Sequence, residues 1–313
     1  MKILSATKKY ALSRGHVGCL GEVATINLAR GCAAGCTFCY ARCVSGAPPP
    51  GSLLLYRDLA DQLAHELDRR RRRPVPSFVL FSTASDPFLG GDPVLALTRA
   101  TLELLVKRNI GVSLSTRGEI PDDVIDLLAR HAPHVQVTVP LVSLSETYTR
   151  TWEPGTAPPR RRLFLVQRLL QAGVGAVQVR LEPIIPFAND ATDSLREVAS
   201  ALVGLGLDSA MVGYMHLRPG VAEQVKRETT PDQSALVLGG FAPDPLQPLP
   251  GKFQHLPIKL RTTNLRRIQR IGRELGLHLS ACHCQNPGIP ARQCPLQPPE
   301  LPRPVGEQIT LLE

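Results

Sequence analysis

The sequence predicts an α/β fold built from six β/α repeats, and three observations predict it. Short runs rich in β-branched residues alternate with segments of helical periodicity between residues 22 and 217. The repeat length of about 30 residues suits parallel strands joined by right-handed crossovers. The helical segments carry their boundary residues in the expected order, proline near the start and glycine past the end.

The elements follow in turn. "EVATINL" (22–28) is a strand that runs into a cysteine-rich loop. In "YRDLADQLAHELDRR" (56–70), Leu59, Leu63 and Leu67 stand four apart, which is one face of a helix. "SFVLFST" (77–83) is continuously apolar, as in a strand buried on both faces. "DPVLALTRATLELLVKR" (92–108) is a helix with Asp92 as its cap and Pro93 in its first turn. "IGVSLST" (110–116) is a strand, "PDDVIDLLARH" (121–131) a helix and "HVQVTVPL" (134–141) a strand. "PPRRRLFLVQRLLQAG" (158–173) is a helix punctuated by proline and glycine. "GAVQVRLEP" (175–183), "DATDSLREVASALVGLG" (190–206) and "SAMVGYMHL" (209–217) complete the alternation as strand, helix and strand. An open doubly wound sheet and a full or partial barrel share this pattern.

Past residue 220 the character changes. "FAPDPLQPLPGKFQHLP" (241–257) is proline-rich. "TTNLRRIQRIGRELG" (262–276) carries Leu265, Ile268, Ile271 and Leu275 as a helical stripe, and "LHLSACHCQNPGIPARQC" (277–294) holds a second cysteine group. The expected division is a barrel unit over residues 1–220 and a C-terminal extension over 221–313.

A hydrophobic fraction of 43% is ample for a core without staples. The 29 prolines, against 8 phenylalanines and one tryptophan, suggest many defined loops. A net charge of +9 fits an anionic partner, a nucleic acid or a phosphorylated cofactor; a basic solvated surface is the plainer alternative. The apolar run in "MKILSATKKYALS" is too short for a secretory segment. No window approaches the ~20 apolar residues that span a bilayer. The expected location is therefore the cytoplasm, with no membrane partner. Eight cysteines there are better read as metal ligands or reactive thiols than as disulfides.

The first cysteine group lies in "NLARGCAAGCTFCYARC" (27–43), where Cys32, Cys36 and Cys39 are spaced C-x3-C-x2-C. Reactive loops of parallel α/β folds follow the carboxyl ends of strands, where this loop falls. Gly31 and Gly35 allow the backbone to fold tightly around a bulky ligand. Zinc usually takes four protein ligands. An iron–sulfur cluster is held by thiolates, and three would leave one iron of a 4Fe–4S cluster open.

With Phe38 just before the last cysteine, this motif resembles that of the radical S-adenosylmethionine (radical SAM) superfamily. The resemblance implies a partial (β/α)6 TIM-like barrel, here followed by a cysteine-containing extension. It also implies a 4Fe–4S cluster on Cys32, Cys36 and Cys39 whose open iron binds the methionine part of S-adenosylmethionine (SAM). The chemistry implied is reductive cleavage of SAM to a 5′-deoxyadenosyl radical, which abstracts hydrogen from a substrate. An external electron donor of flavodoxin or ferredoxin type follows from the same resemblance. Phe38 is implied to lie at the cofactor.

Over residues 20–220, "FSTASDPF", "STRG", "VPLVSLSETYTRTWEPGTAPPRRRL" and "LEPIIPFANDATD" are similar to the spore photoproduct lyase-related group. That likeness implies that Ser85, Asp86, Arg117 and Ser143 reach SAM from the ends of the second, third and fourth strands. The group commonly has lysine where Arg117 stands, and a guanidinium can also pair with the cofactor carboxylate. The plainer readings are a turn residue for Asp86 before Pro87, a solvated charge for Arg117, and caps for Ser143 and Ser145. Glu182, Tyr214 and His216 face the same rim by topology. The group's hydrogen-donating cysteine has no counterpart, because Ala84 stands beside Ser85. Repair of the same DNA lesion is therefore in doubt. Cys43 is the candidate catalytic substitute, with a buried spectator thiol as the alternative.

Cys282, Cys284 and Cys294 form C-x-C-x9-C. They suit a second iron–sulfur cluster completed by Cys19, Cys43 or substrate, a zinc ion shared with His283, or no metal at all. Of the basic runs, "RRRRR" (69–73) ends a helix, where it complements the dipole. "RRR" (160–162) begins one, where positive charge is unfavourable, and so points to an anionic contact. The expected function is a radical SAM enzyme, with lyase and transferase chemistry both admitted. Its substrate is unknown: charge and kinship favour a nucleic acid or nucleobase, and the auxiliary cysteines a peptide or small metabolite. The alternative is a zinc-stabilised nucleic-acid-binding module without catalysis.

Overall fold

The computed structural model describes residues 1–69, 75–241, 254–282, 286, 288 and 289. The N-terminal part contains β1 (Lys2–Ala6), β2 (Ser13–His16), β3 (Glu22–Ile26), β4 (Ala29–Arg30) and β5 (Ser52–Tyr56), and leads into α1 (Leu59–Asp68). The alternation then runs β6 (Phe78–Phe81), α2 (Asp92–Val106), β7 (Gly111–Ser115), α3 (Asp122–Arg130) and β8 (Val135–Pro140). It continues with α4 (Glu146–Trp152), α5 (Pro159–Gln171), β9 (Ala176–Ile184), α6 (Thr192–Gly204) and β10 (Ser209–Tyr214). The last elements are α7 (Val221–Glu228), α8 (Pro231–Leu238), α9 (Ile258–Leu275) and β11 (His278–Ala281).

The main sheet has the order β11-β10-β9-β8-β7-β6-β3-β2. Every pair from β3 to β11 is parallel, and β2 runs antiparallel at the edge. The sheet curls, but β11 and β2 do not pair, so the barrel is partial and open. The six strands expected from sequence are β3 and β6 to β10, in chain order. The "HLSA" stretch of the C-terminal segment adds β11 as a seventh parallel strand. A small second sheet, β1-β5-β4, flanks the start of the barrel.

The strands are buried as their composition requires. Val79, Val112, Val137, Val139, Val179, Leu181 and Val212 have no exposed surface. Such burial stabilises by about 1.5–3 kcal/mol per side chain. Leu59, Leu63 and Leu67 of α1 face the core as their spacing predicts. In α9, Leu265, Ile268 and Ile271 are buried, and the helix packs on α6 and β11. It begins at Ile258, several residues before the expected start, because Pro257 sets the boundary ahead of two threonines that favour helix only weakly. The cap of α2 also differs. Gly91, at φ +81°, precedes the helix, and Asp92 is its first residue.

Candidate active site

Seven parallel strands bring their carboxyl ends to one end of the sheet. The loops after β3, β6, β7, β9 and β10 enclose a cavity of about 530 Å³ there. Its wall includes Cys32, Cys36 and Cys39 together with Phe38. Gly31 and Gly35 adopt φ of +87° and +59°, the left-handed region that the tight loop requires. At Gly31 a Cβ would lie 2.5 Å from Pro48, so no other residue fits without displacement.

The Cys36 thiol is buried, and Cys32 and Cys39 are partly buried. The backbone amides of Ala34 and Asp86 donate to Cys32 Sγ at 3.4 and 3.2 Å. Burial, and after it the nearby Asp86 carboxylate, pushes the Cys32 thiol up to about 12. Burial also pushes the Cys36 thiol well above its ordinary range, although the Arg117 charge opposes it. Ionisation here needs a cationic metal to offset desolvation.

Two distant segments hold the loop. Thr37 donates from its amide to the Trp152 carbonyl at 3.0 Å and from its hydroxyl to Thr151 at 2.8 Å. The Gly155 amide donates to Ala34 at 2.9 Å, and a Cβ at Gly155 would lie 2.1 Å from the Ala33 carbonyl. From α7, the Gln224 amide nitrogen donates to the carbonyls of Thr37, Cys39 and Cys36 at 2.8, 3.3 and 3.4 Å. Arg42 donates to Gly35 and Cys36 and forms a two-pronged pair with Glu228 at 2.7 and 2.8 Å.

Asp86 and Arg117 follow β6 and β7. One Asp86 oxygen accepts from the Phe88 amide and the Thr116 hydroxyl, and the other from the Arg117 amide at 2.6 Å. Asp86 thus ties two strand-end loops together and aims its own amide at Cys32. Burial raises its carboxyl, with these three donors and the Arg117 charge pulling the other way. Arg117 Nε donates to Glu153 Oε1 at 3.1 Å, its Nη2 donates to the Glu182 carbonyl at 3.1 Å, and the guanidinium lies 5.4 Å from the centre of the Phe38 ring. Glu153 also pairs with Arg162 Nη2 at 2.7 Å, and both of those side chains are 1% exposed. This is the anion that the "RRR" run called for; Arg161 finds a second in Glu119.

Three hydroxyls on the cavity wall, Ser82, Ser85 and Thr138 Oγ1, are buried with no hydrogen-bond partner among the described residues. Ser82 also holds φ +56°, a conformation that a non-glycine residue adopts at some cost.

Residues 26–192 match the Radical SAM superfamily, more than half of the chain. The chain belongs to the radical SAM superfamily. An uncharacterised protein of Mycobacterium tuberculosis is 28% identical over 204 residues, 62% of this chain and 59% of that one. The chain therefore spans less than two thirds of the length of that relative. Among solved structures, spore photoproduct lyase complexed with dinucleoside spore photoproduct superposes with a TM-score of 0.65 at 16% identity, over 88% of this chain and 81% of that one. Streptococcus suis SuiB bound to S-adenosylmethionine superposes with a TM-score of 0.52 at 15% identity, over 86% of this chain and 53% of that one. At these identities the likeness is one of fold.

Radical SAM membership implies a 4Fe–4S cluster and SAM, and the residues fit both. Three thiols share one cavity wall, as a cluster needs. Among the described residues no three His, Cys, Asp or Glu side chains converge on a single ion. A cluster instead takes each thiolate on a different iron, with wider spacing. The unpartnered hydroxyls and the remaining N–H groups of Arg117 suit the ribose and carboxylate of SAM.

The other expected residues divide. Ser85, Asp86, Arg117, Glu182, Tyr214 and His216 line the cavity. Glu182 is held by Arg180 two residues before it. The Tyr214 hydroxyl faces Arg267 and Asn264 of α9, and burial raises it to about 12. Ser143 is off the cavity wall; its hydroxyl accepts from the Ser145 amide, and Ser145 caps α4. Cys43 is also off the wall, with its thiol against Gln224 at 3.6 Å and its Cβ against Gly220. The thiol is partly buried there. Cys282 follows β11 and is fully buried, with its carbonyl accepting from Asn286. Cys284 and Cys294 lie outside the described residues.

Among the described residues, no helix is long and apolar enough to cross a membrane. Glu153, Gln224 and Ser82 were missed from sequence. Ser82 and Glu153 lay in quoted motifs and Gln224 did not, and Glu153 was foreshadowed by the unfavourably placed arginines.

Proposed function

We propose that this chain is a SAM-cleaving radical enzyme, with Cys32, Cys36 and Cys39 holding the 4Fe–4S cluster and Arg117 pairing with the SAM carboxylate. The observation that carries this is the convergence of three thiols, one guanidinium and three unpartnered hydroxyls on a single cavity. When bound, the cluster and SAM supply a 5′-deoxyadenosyl radical for hydrogen abstraction. The protein's part is to orient and to exclude water. Phe38 and the Arg117 guanidinium cover each other, Glu153 fixes the guanidinium, and Asp86 holds two strand-end loops in register.

A nucleobase-bearing substrate is the class the mouth of the cavity best fits. Arg218 lies 4.0 Å over the Tyr40 ring, a cationic and aromatic platform of the kind on which bases stack. The net charge of +9 and the fold shared with spore photoproduct lyase agree with that class. Ala84 on the cavity wall, and a Cys43 thiol that lies off that wall against Gln224, argue against the lesion chemistry itself.

The test is anaerobic reconstitution with iron and sulfide, reduction with dithionite, and measurement of 5′-deoxyadenosine from SAM. The Cys32/Cys36/Cys39→Ala triple variant is expected to bind no cluster at this site and form none of the product. Undiminished product from that variant, or stoichiometric zinc in the wild-type protein in place of iron, would overturn the proposal.

A further inference from the structure

Three neighbouring strands turn polar side chains into the barrel. Residues two apart on a strand share a face. The cavity wall takes Ser113 from β7, Thr138 from β8, and Arg180 and Glu182 from β9. The alternate positions Val112, Val137, Val139, Val179 and Leu181 belong to the opposite face and have no exposed surface. Barrel interiors are ordinarily filled by branched apolar side chains. This one is lined for a polar occupant.

Arg180 and Glu182 carry the charge of that lining. Arg180 Nε donates to Glu182 Oε2 at 2.9 Å, and the two side chains are 13% and 10% exposed. The carboxylate lies against β10 at Gly213, where a Cβ would come within 2.8 Å of Glu182 Oε1. Glycine at this position is what lets the carboxylate sit inside the barrel. The Glu182 carbonyl accepts from Arg117 Nη2 at 3.1 Å, so the pair adjoins the guanidinium assigned to the SAM carboxylate.

We propose that Arg180 and Glu182 are the substrate-reading pair and take the edge of a nucleobase. The inference rests on the nucleobase reading above and names the side chains that recognise that substrate. The two charges cancel, so a bare anion meets the carboxylate and a bare cation meets the guanidinium. A neutral edge with a carbonyl beside an N–H satisfies both. The guanidinium donates to the carbonyl, and the carboxylate accepts from the N–H. Hydrogen bonds to charged groups are the strong ones. Guanine, thymine and uracil carry such an edge; adenine does not. A peptide amide offers the same two groups but no aromatic face. Tyr40 and Arg218, on the wall of the same cavity, supply a surface on which such a face stacks.

The test is equilibrium dialysis of the reconstituted full chain with saturating SAM and no reductant, so that nucleosides are measured with the SAM site filled. Guanosine or thymidine is expected to bind, and more tightly than adenosine, ribose 5-phosphate or an acetylated tripeptide amide. Arg180→Gln/Glu182→Gln strands neither charge; it should weaken the preferred nucleoside about tenfold or more and level the preference over adenosine. Gly213→Ala keeps both charges but displaces the carboxylate, and should lose part of the same affinity. Thermal melting shows which variants are folded, and either one decides. Unchanged nucleoside affinity and preference in a folded variant overturns the assignment, as does a loss of SAM affinity, read by calorimetry, that accounts for the loss of nucleoside. Wild type that binds no nucleoside, or prefers the tripeptide, defeats the nucleobase reading and the subsite with it. Absence of dithionite-driven 5′-deoxyadenosine from wild type would instead defeat the radical SAM reading, and the dialysis would still decide the pair.

Discussion

Replacing Glu153 with glutamine should destabilise the protein and loosen its grip on SAM together. Glu153 lies between two cations: Oε1 is 3.1 Å from Arg117 Nε and Oε2 is 2.7 Å from Arg162 Nη2. Arg162 is 1% exposed and otherwise shown donating to the Pro140 carbonyl at 2.9 Å. Glutamine keeps the shape but turns an NH2 group toward a guanidinium and leaves both cations without a counter-charge. Removing one partner of a buried pair costs about 3–5 kcal/mol. Arg117, with its side chain 22% exposed, is partly screened, so the lower end, ~3 kcal/mol, is the expected value.

Urea unfolding of the metal-free protein measures this as a lowered midpoint with an unchanged slope. A second variant separates a charge effect from general damage. Arg162→Met added to Glu153→Gln removes one stranded cation and should recover about 1–3 kcal/mol of the loss. A midpoint unmoved in Glu153→Gln, or a double variant as unstable as the sum of the single changes, would refute the idea that Glu153 compensates two buried charges.

Other outcomes follow from the same geometry. Arg117→Ala should weaken SAM binding about tenfold or more, as loss of a charge-assisted pair of ~1.5–3 kcal/mol requires, and calorimetric titration reads it directly. Gln224→Ala removes one donor from three loop carbonyls; it should lower stability by about 1–3 kcal/mol and reduce iron retained after reconstitution, measured by denaturation and iron assay. Tyr214 titrates at about 12 because burial, and after it Asp190, disfavours its phenolate. The folded chain keeps a proton that the unfolded chain loses, so this contribution is intact below about pH 10 and is lost as pH rises toward about 12. The two-unit difference corresponds to ~2–3 kcal/mol. Tyr214→Phe should flatten the fall in urea midpoint over that alkaline range, and an unchanged slope would place the phenol in water.

Much of this was legible in the sequence where the information is local. The Leu59, Leu63, Leu67 stripe predicts the buried face of α1 because helical period alone decides it. Gly31 and Gly35 announce positive φ because few other residues tolerate it. Phe38, Ser85, Asp86 and Arg117 could be placed on one rim because parallel strands must send their ends the same way. What sequence did not show depends on the exact backbone path or on partners far along the chain. Ser143 and Ser145 share a segment, yet Ser145 caps α4 and its amide donates to Ser143; only the local backbone path fixes that division. Cys43 is four residues from Cys39 but faces α7, since the short helical turn at residues 40–42 rotates it off the wall. Seven consecutive parallel strands that never close also needed the pairing of β11, a four-residue strand with too little sequence to carry a period.

The cysteine loop shows why the motif alone is not the site. From Gly31 to Cys39 it has no regular secondary structure, so its backbone groups need partners from elsewhere. Those partners are Trp152, Gly155, Arg42 and Gln224. Three of the four belong to the segment after β8 or to α7; Arg42 is local but is itself fixed by Glu228 of α7. Buried thiols with raised pKa resist ionisation, and a floppy loop could relieve that by turning them to solvent. Clamping from both sides removes this escape and leaves metal ligation as the way to stabilise the thiolates. The same clamps put Thr37 on an outer cleft while Cys36 and Phe38 face the cavity. The local fold thus commits the loop to two faces, one lining the cavity and one turned outward.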